Sequence, residues 1–218
     1  MTEYPKIQTL FERDPITFKL REPLAVLVPD FLAVDCWDVE EKLDGMNLRI
    51  IVDREAKSVQ TLGRTDRAQL PQGILDATAF IERQAQTIPV DADYFILFGE
   101  GLGPKVNGNR HQLTLHEFFL FDVHVGRDRP YWLSREEVRT LAMKIGCRIP
   151  PGGGLLTTKD CVEQVRANIT TPVSRLAGGR NYVEGVVCRP VFELQTQRGQ
   201  RVIWKLKCKD FAKKEAVC

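Results

Sequence analysis

The chain has 218 residues, 43% apolar and 28% charged, with a formal net charge of +2. That length buries one full core, and no apolar run approaches the roughly 20 residues a membrane-spanning helix needs. A near-neutral balance excludes a molecule that is basic all over, so any polyanion footprint must be local.

The N-terminus, Met1-Thr2-Glu3-Tyr4-Pro5-Lys6, lacks a basic segment followed by an apolar core, so no secretory signal is expected and the location reads as cytoplasmic. Prolines at 5, 15, 23 and 29 favour short strands and loops over long helices. Residues 47–52 are β-rich, with residues 58–62 as hairpin partner. Residues 75–86 read as a helix with apolar positions 75, 79, 80 and 81, ended before Pro89. Residues 94–99 and 118–125 are continuous apolar runs of strand length, expected as buried strands.

Ser134-Arg135-Glu136-Glu137 begins a helix through a capping box, and Gly146 ends it. Residues 158–168 are a further short helix. Pro150-Pro151-Gly152-Gly153-Gly154 reads as a loop; it lacks the Gly-Lys-Ser/Thr ending of a phosphate-binding loop. Residues 181–190 and 201–209 are strand-like runs joined by a short polar link. One domain over residues 1–218 is expected.

Six cysteines, at 36, 147, 161, 188, 208 and 218, form no Cys-x-x-Cys pair and read as reduced structural thiols. His116-Glu117 is not completed as a zinc motif, because Leu120 stands where the second histidine belongs. Gly99-Glu100-Gly101-Leu102-Gly103 fails the dinucleotide spacing at Pro104 and Val106. Near the C-terminus Lys205, Lys207, Lys209, Lys213 and Lys214 make a locally basic run, which a solvated face also explains.

The most informative stretch is Lys42-Leu43-Asp44-Gly45-Met46-Asn47. By local preference it is a lysine before an Asp-Gly hairpin turn. The alternative is a nucleophilic amine, which requires desolvation or surrounding positive charge. Its company, in order, is Gly63-Arg64, Phe98-Gly99-Glu100, Phe119-Leu120-Phe121-Asp122, Glu184-Gly185-Val186-Val187 and Lys205-Leu206-Lys207.

This ordered set resembles motifs I, Ia, III, IIIa, IV and V of the covalent nucleotidyltransferase superfamily of polynucleotide ligases and RNA capping enzymes. Asn47, the Phe-Gly-Glu block followed by Gly-Pro, and Phe121-Asp122 are similar to the RNA ligase 2 branch of ATP-dependent RNA ligases. Asp44 departs from that branch, which commonly carries histidine before the glycine. The chain also ends soon after motif V, so neither an appended oligonucleotide-binding domain nor a helical C-terminal domain is expected. The resemblance implies an α+β nucleotidyltransferase (ATP-grasp-like adenylylation) domain with antiparallel sheets flanking an ATP cleft.

It further implies that Lys42 attacks the α-phosphorus of ATP to form lysyl-AMP. Lys205 and Lys207, at alternate positions of one strand, would lower the pKa of Lys42 and stabilise charge on the phosphate. The register 207/209 is the alternative. Asp44 and Glu184 would hold Mg2+ or Mn2+. Glu100 would bind ribose, Phe121 would stack on adenine, and Phe119 would support it or pack in the core. Arg64 would hold ribose or the incoming strand. Glu41 would contact the adenine amino group or face solvent, and Asn47 would contact a phosphate or metal-bound water. Arg49 and Arg189 are further phosphate candidates.

The implied activity joins RNA 5′-phosphate and 3′-hydroxyl ends, a nicked duplex being one candidate substrate, with strand clamping left to a partner protein. The alternatives are a small ATP-dependent DNA ligase, a capping-type guanylyltransferase and a non-catalytic RNA- or nucleotide-binding module.

Overall fold

Alternation of apolar and polar residues with period two recurs along the chain, and in the computed structural model it resolves into two five-stranded sheets. Residues 3–167 and 184–211 are described; Lys213, Lys214, Cys218 and residues 181–183 lie outside them. The strands are β1 (Gln8–Thr9), β2 (Cys36–Glu41), β3 (Met46–Asp53), β4 (Ser58–Gly63) and β5 (Tyr94–Leu102), followed by β6 (Glu117–Val125), β7 (Tyr131–Trp132), β8 (Gly152–Thr157), β9 (Gly185–Pro190) and β10 (Trp204–Lys207). The helices are α1 (Gln72–Gln84), α2 (Arg135–Ile145) and α3 (Thr158–Arg166).

Two compact units emerge, one from residues 44–150 with residues 3–5, the other from residues 6–43, 151–167 and 184–211. The second unit holds the sheet β1-β10-β9-β2-β8, antiparallel except where β1 meets β10. Trp37 and Val39 of β2, Val186 and Cys188 of β9, and Trp204 and Leu206 of β10 share one face and bury against Cys161 and Val165 of α3. Each large apolar side chain sealed this way contributes about 1.5–3 kcal/mol. The opposite face is left to polar positions of the same strands.

The first unit holds the antiparallel sheet β4-β3-β5-β6-β7. Leu48, Ile50 and Val52 of β3, Phe95 and Leu97 of β5, and Leu120 and Val123 of β6 form its core with α1 and α2. The 47–52 and 58–62 hairpin pairs as expected, from Leu48 opposite Gly63 to Asp53 opposite Ser58. α2 has both halves of its capping box, and Gly146 closes it in the left-handed conformation.

Three expectations need correction. α1 starts at Gln72 and buries Ile74, Thr78 and Ile81 rather than the stripe at 75, 79 and 80; the apolar signal there was broad, and packing against the sheet chose the face. Residues 152–154, read as a loop, are the start of β8, because Gly152 and Gly154 pair with Glu40 and Val39 at the sheet edge. The Asp44-Gly45 step makes no hairpin, since the strands it joins, β2 and β3, belong to different sheets.

Candidate functional site

In the second unit, Lys42 follows the last residue of β2, and its N–H continues the ladder onto the Gly185 carbonyl at 2.8 Å. The same register sets Lys207 opposite Gly185 and Lys205 opposite Val187. Trp204 and Leu206 turn into the core, so Lys205 and Lys207 turn the other way. Glu184, 8% exposed at the entry to β9, bridges two ammonium groups: Oε2 accepts from Lys42 Nζ and Oε1 from Lys207 Nζ. Alternation stops at Lys207, for Lys209 lies in the 3-10 turn after β10.

Burial lowers the Lys205 ammonium to about 8, and repulsion from Lys42 and Lys207 adds to it. Burial pushes the Glu41 carboxyl up to about 8, and the residue is 3% exposed, which removes the solvent-facing reading of it. Gly185 is required here: its φ of +156° suits glycine, and a Cβ would run into the Leu206 carbonyl oxygen.

In the first unit, Asn47 pairs with Glu100 and Glu100 with Phe119, a cross-strand row on the face opposite the core. Glu100 Oε1 accepts the Gly45 N–H at 3.1 Å. Asn47 Oδ1 is buried with no hydrogen-bond partner among the described residues. A bulge in β6 leaves Phe121 unpaired between Leu120, opposite Gly99, and Asp122, opposite Phe98. Bulges re-aim side chains, and Phe121 is half-buried, with the Tyr4 ring edge-on at 5.0 Å. Phe119 is fully buried under the Arg148 guanidinium, 4.7 Å from the ring centroid, and so packs in the structure. Arg64 is exposed just past the end of β4.

Asp44 is gripped by residues that sequence reasoning passed over. Its N–H donates to His111 Nε2 at 2.9 Å, and Arg110 pairs with its Oδ2 at 2.9 Å. Asn107 donates to the Gly45 carbonyl. These partners lie more than 60 positions along the chain, and no periodic or motif signal marks them. Tyr4, whose hydroxyl donates to Asp122 Oδ2 at 2.6 Å, is another such case. Two expected phosphate contacts are otherwise engaged. Arg49, 1% exposed, donates to the Gly63 carbonyl and pairs with Asp66; Arg189 pairs with Glu40 at 2.8 Å inside the fold.

Asp44, in the first unit, and Glu184, in the second, are each a hard carboxylate donor of the kind Mg2+ or Mn2+ takes, few at a time with water completing the shell. The buried Asn47 Oδ1 is an acceptor suited to a bound water.

A model of the RNA ligase family matches residues 35–207, from the start of β2 to the end of β10. The chain belongs to the RNA ligase family. Solved structures sharing the fold of this RNA ligase family member include a Naegleria gruberi RNA ligase mutant with ATP and Mn, at a TM-score of 0.64 and 19% identity over 93% of this chain and 59% of that one. The same ligase with PPi has a TM-score of 0.63 at 19% identity, covering 94% and 61%. A further mutant with AMP and Mn has a TM-score of 0.63 at 19% identity, covering 93% and 61%. The family member therefore spans about three fifths of the length of these ligases. No curated protein sequence matches the chain.

Proposed function

We propose that this family member is an ATP-dependent RNA ligase that joins 5′-phosphate and 3′-hydroxyl ends through a lysyl-AMP intermediate on Lys42. The observation that carries the proposal is the Lys42–Glu184–Lys207 bridge with Lys205 beside it. A single carboxylate among three amines is an arrangement suited to handling phosphate charge.

In the first step Lys42 Nζ forms a bond to the α-phosphorus of ATP, the bond to the pyrophosphate oxygen breaks, and one amine proton leaves to solvent. Lys205 and Lys207 stabilise the charge that develops on the phosphate oxygens. In the second, the P–N bond breaks as a 5′-phosphate oxygen takes AMP. In the third, a 3′-hydroxyl attacks that 5′-phosphate, and AMP departs. Such transfers depend on in-line positioning and charge neutralisation more than on an elaborate base.

Asp44 and Glu184 are the residues that would hold Mg2+ or Mn2+, which when bound neutralises phosphate charge. Glu100 is assigned to the ribose, Phe121 to the adenine face, Asn47 to a phosphate or bound water, and Arg64 to ribose or the incoming strand. Glu41, held largely protonated near neutral pH by burial, has a hydroxyl donor and a carbonyl acceptor. That pair complements the acceptor–donor edge of adenine.

Incubation with α-labelled ATP or GTP tests the first step. Label from ATP that survives denaturation and is lost in Lys42→Ala is expected. Label from GTP only would mean a capping-type enzyme, and no label would mean a nucleotide-binding module. For strand joining, a panel of nicked and single-stranded RNA and DNA carrying 5′-phosphates is decisive; joining of DNA alone would overturn the RNA assignment.

A further inference from the structure

A second cationic surface lies in the unit that carries Lys42. A groove of about 920 Å³ is walled on one side by the N-terminal segment, with Lys6, Arg13, Phe18 and Lys19, and on the other by Lys205, Lys207 and Lys209. Among its described lining residues the carboxylates are Glu22 and Asp210. Asp210 is occupied: Arg13 meets it with two hydrogen bonds, at 3.1 and 2.6 Å. Lys6, Lys19 and Lys209 are exposed and make no ion pair with any described residue. The groove therefore keeps a surplus of solvated ammonium groups along its length.

Its second feature is aromatic. Phe18 lines the groove and is 71% exposed, an unfavourable setting for a large apolar ring. The backbone holds it there at a φ of +56°, rare outside glycine. Three local hydrogen bonds fix the turn: Phe18 N–H to the Asp14 carbonyl at 2.9 Å, Thr17 N–H to Asp14 Oδ1 at 2.7 Å, and Arg13 to the Phe18 carbonyl at 2.9 Å. Backbone strain that presents a ring to solvent is the kind of outlier that accompanies a binding role. The wall from Lys6 to Glu22 precedes residue 35, where the family match begins, so that wall lies outside the matched residues.

We propose that this groove holds a single-stranded segment of the RNA substrate, with its phosphates on Lys6, Lys19 and Lys209 and one base stacked on Phe18. Spaced ammonium groups and an exposed ring are what a sequence-tolerant single-strand site requires. The proposal rests on the ligase reading for the identity of its ligand. From Lys209 the groove continues to Lys207 and Lys205, which gives the strand a path toward the amines around Glu184.

Fluorescence anisotropy of the full chain with a labelled, 5′-phosphorylated oligoribonucleotide of about 12 nucleotides tests this. Lys19→Ala with Lys209→Ala should lower the slope of log affinity against log salt by about 1.4, two single-strand phosphate contacts. Phe18→Ala should weaken binding roughly 5- to 100-fold with the slope unchanged, and Phe18→Trp should retain it. Thermal melting of each variant verifies folding. Affinity and slope unchanged in every variant would overturn the proposal. So would displacement of the RNA by inorganic pyrophosphate together with indifference to Phe18→Ala, which would make the groove a polyphosphate site. Labelling of the wild-type chain by ATP is scored separately: groove-dependent RNA binding without labelling sinks the enzymatic reading and leaves this one standing.

Discussion

Glu184 Oε1 accepts from Lys207 Nζ at 2.5 Å while its other oxygen accepts from Lys42, so one carboxylate holds the ends of β2 and β10 in register across β9. Removing its charge leaves two half-buried ammonium groups without their counterion. Glu184→Gln should therefore lower stability by about 1–3 kcal/mol and reduce ATP labelling by about 10²-fold or more. Urea titration and labelling of the same preparation separate the two losses; labelling at the wild-type rate would remove Glu184 from the reaction.

Glu41 makes stability depend on pH. Its folded carboxyl lies at about 8 against an ordinary 4.5, so the folded chain binds this proton more tightly than the unfolded chain does. Stability from this group is full below about 4.5 and falls as pH rises toward 8. Glu41→Gln, which keeps a donor and an acceptor, should flatten that fall while preserving ATP labelling, and Glu41→Ala should lose labelling. Urea midpoints measured from pH 5 to pH 8 give the answer.

Lys205 carries the opposite sign. Its ammonium is lowered to about 8 from 10.5, so the unfolded chain binds the proton more tightly and stability rises with pH between those values. Lys205→Met should leave neutral-pH stability unchanged or higher and abolish the rise. Labelling should drop about 10²- to 10³-fold, as for loss of one transition-state donor. A variant less stable than wild type at pH 7 would contradict the assignment.

Gly185→Ala is expected to be severe. The added Cβ meets the backbone of Leu206, which cannot move without parting β9 from β10. A cost of about 3 kcal/mol or more follows from overpacking and backbone strain together. Circular dichroism melting should reveal it, with labelling lost because Glu184 is the preceding residue.

Much of the sheet structure was readable from sequence. Residues 94–99 and 118–125 are apolar runs that no surface element would carry, and the 47–62 hairpin follows from alternation around a short turn. The face of α1 was misread, because residues 74–81 are apolar on more than one side and only the sheet beneath selects Ile74, Thr78 and Ile81. For Arg49 and Arg189, both buried and paired in the fold, the residue type alone is ambiguous. A residue type suited to phosphate is equally suited to a buried ion pair, and only burial distinguishes the two.

Short stretches carry a recognisable order, which is why Lys42, Glu184, Lys205 and Lys207 are nameable from the resemblance of that order to a known motif set, with alternation placing Lys205 and Lys207 on one face. Which groups those side chains meet depends on contacts between residues far apart in the chain, set by register and packing. Only the folded chain links Glu184 to both Lys42 and Lys207, lowers Lys205 by burying it beside other amines, and sets Phe18 and Lys209 in one groove. The sequence places Lys42 directly after β2; strand pairing across β2, β9 and β10 supplies its surroundings.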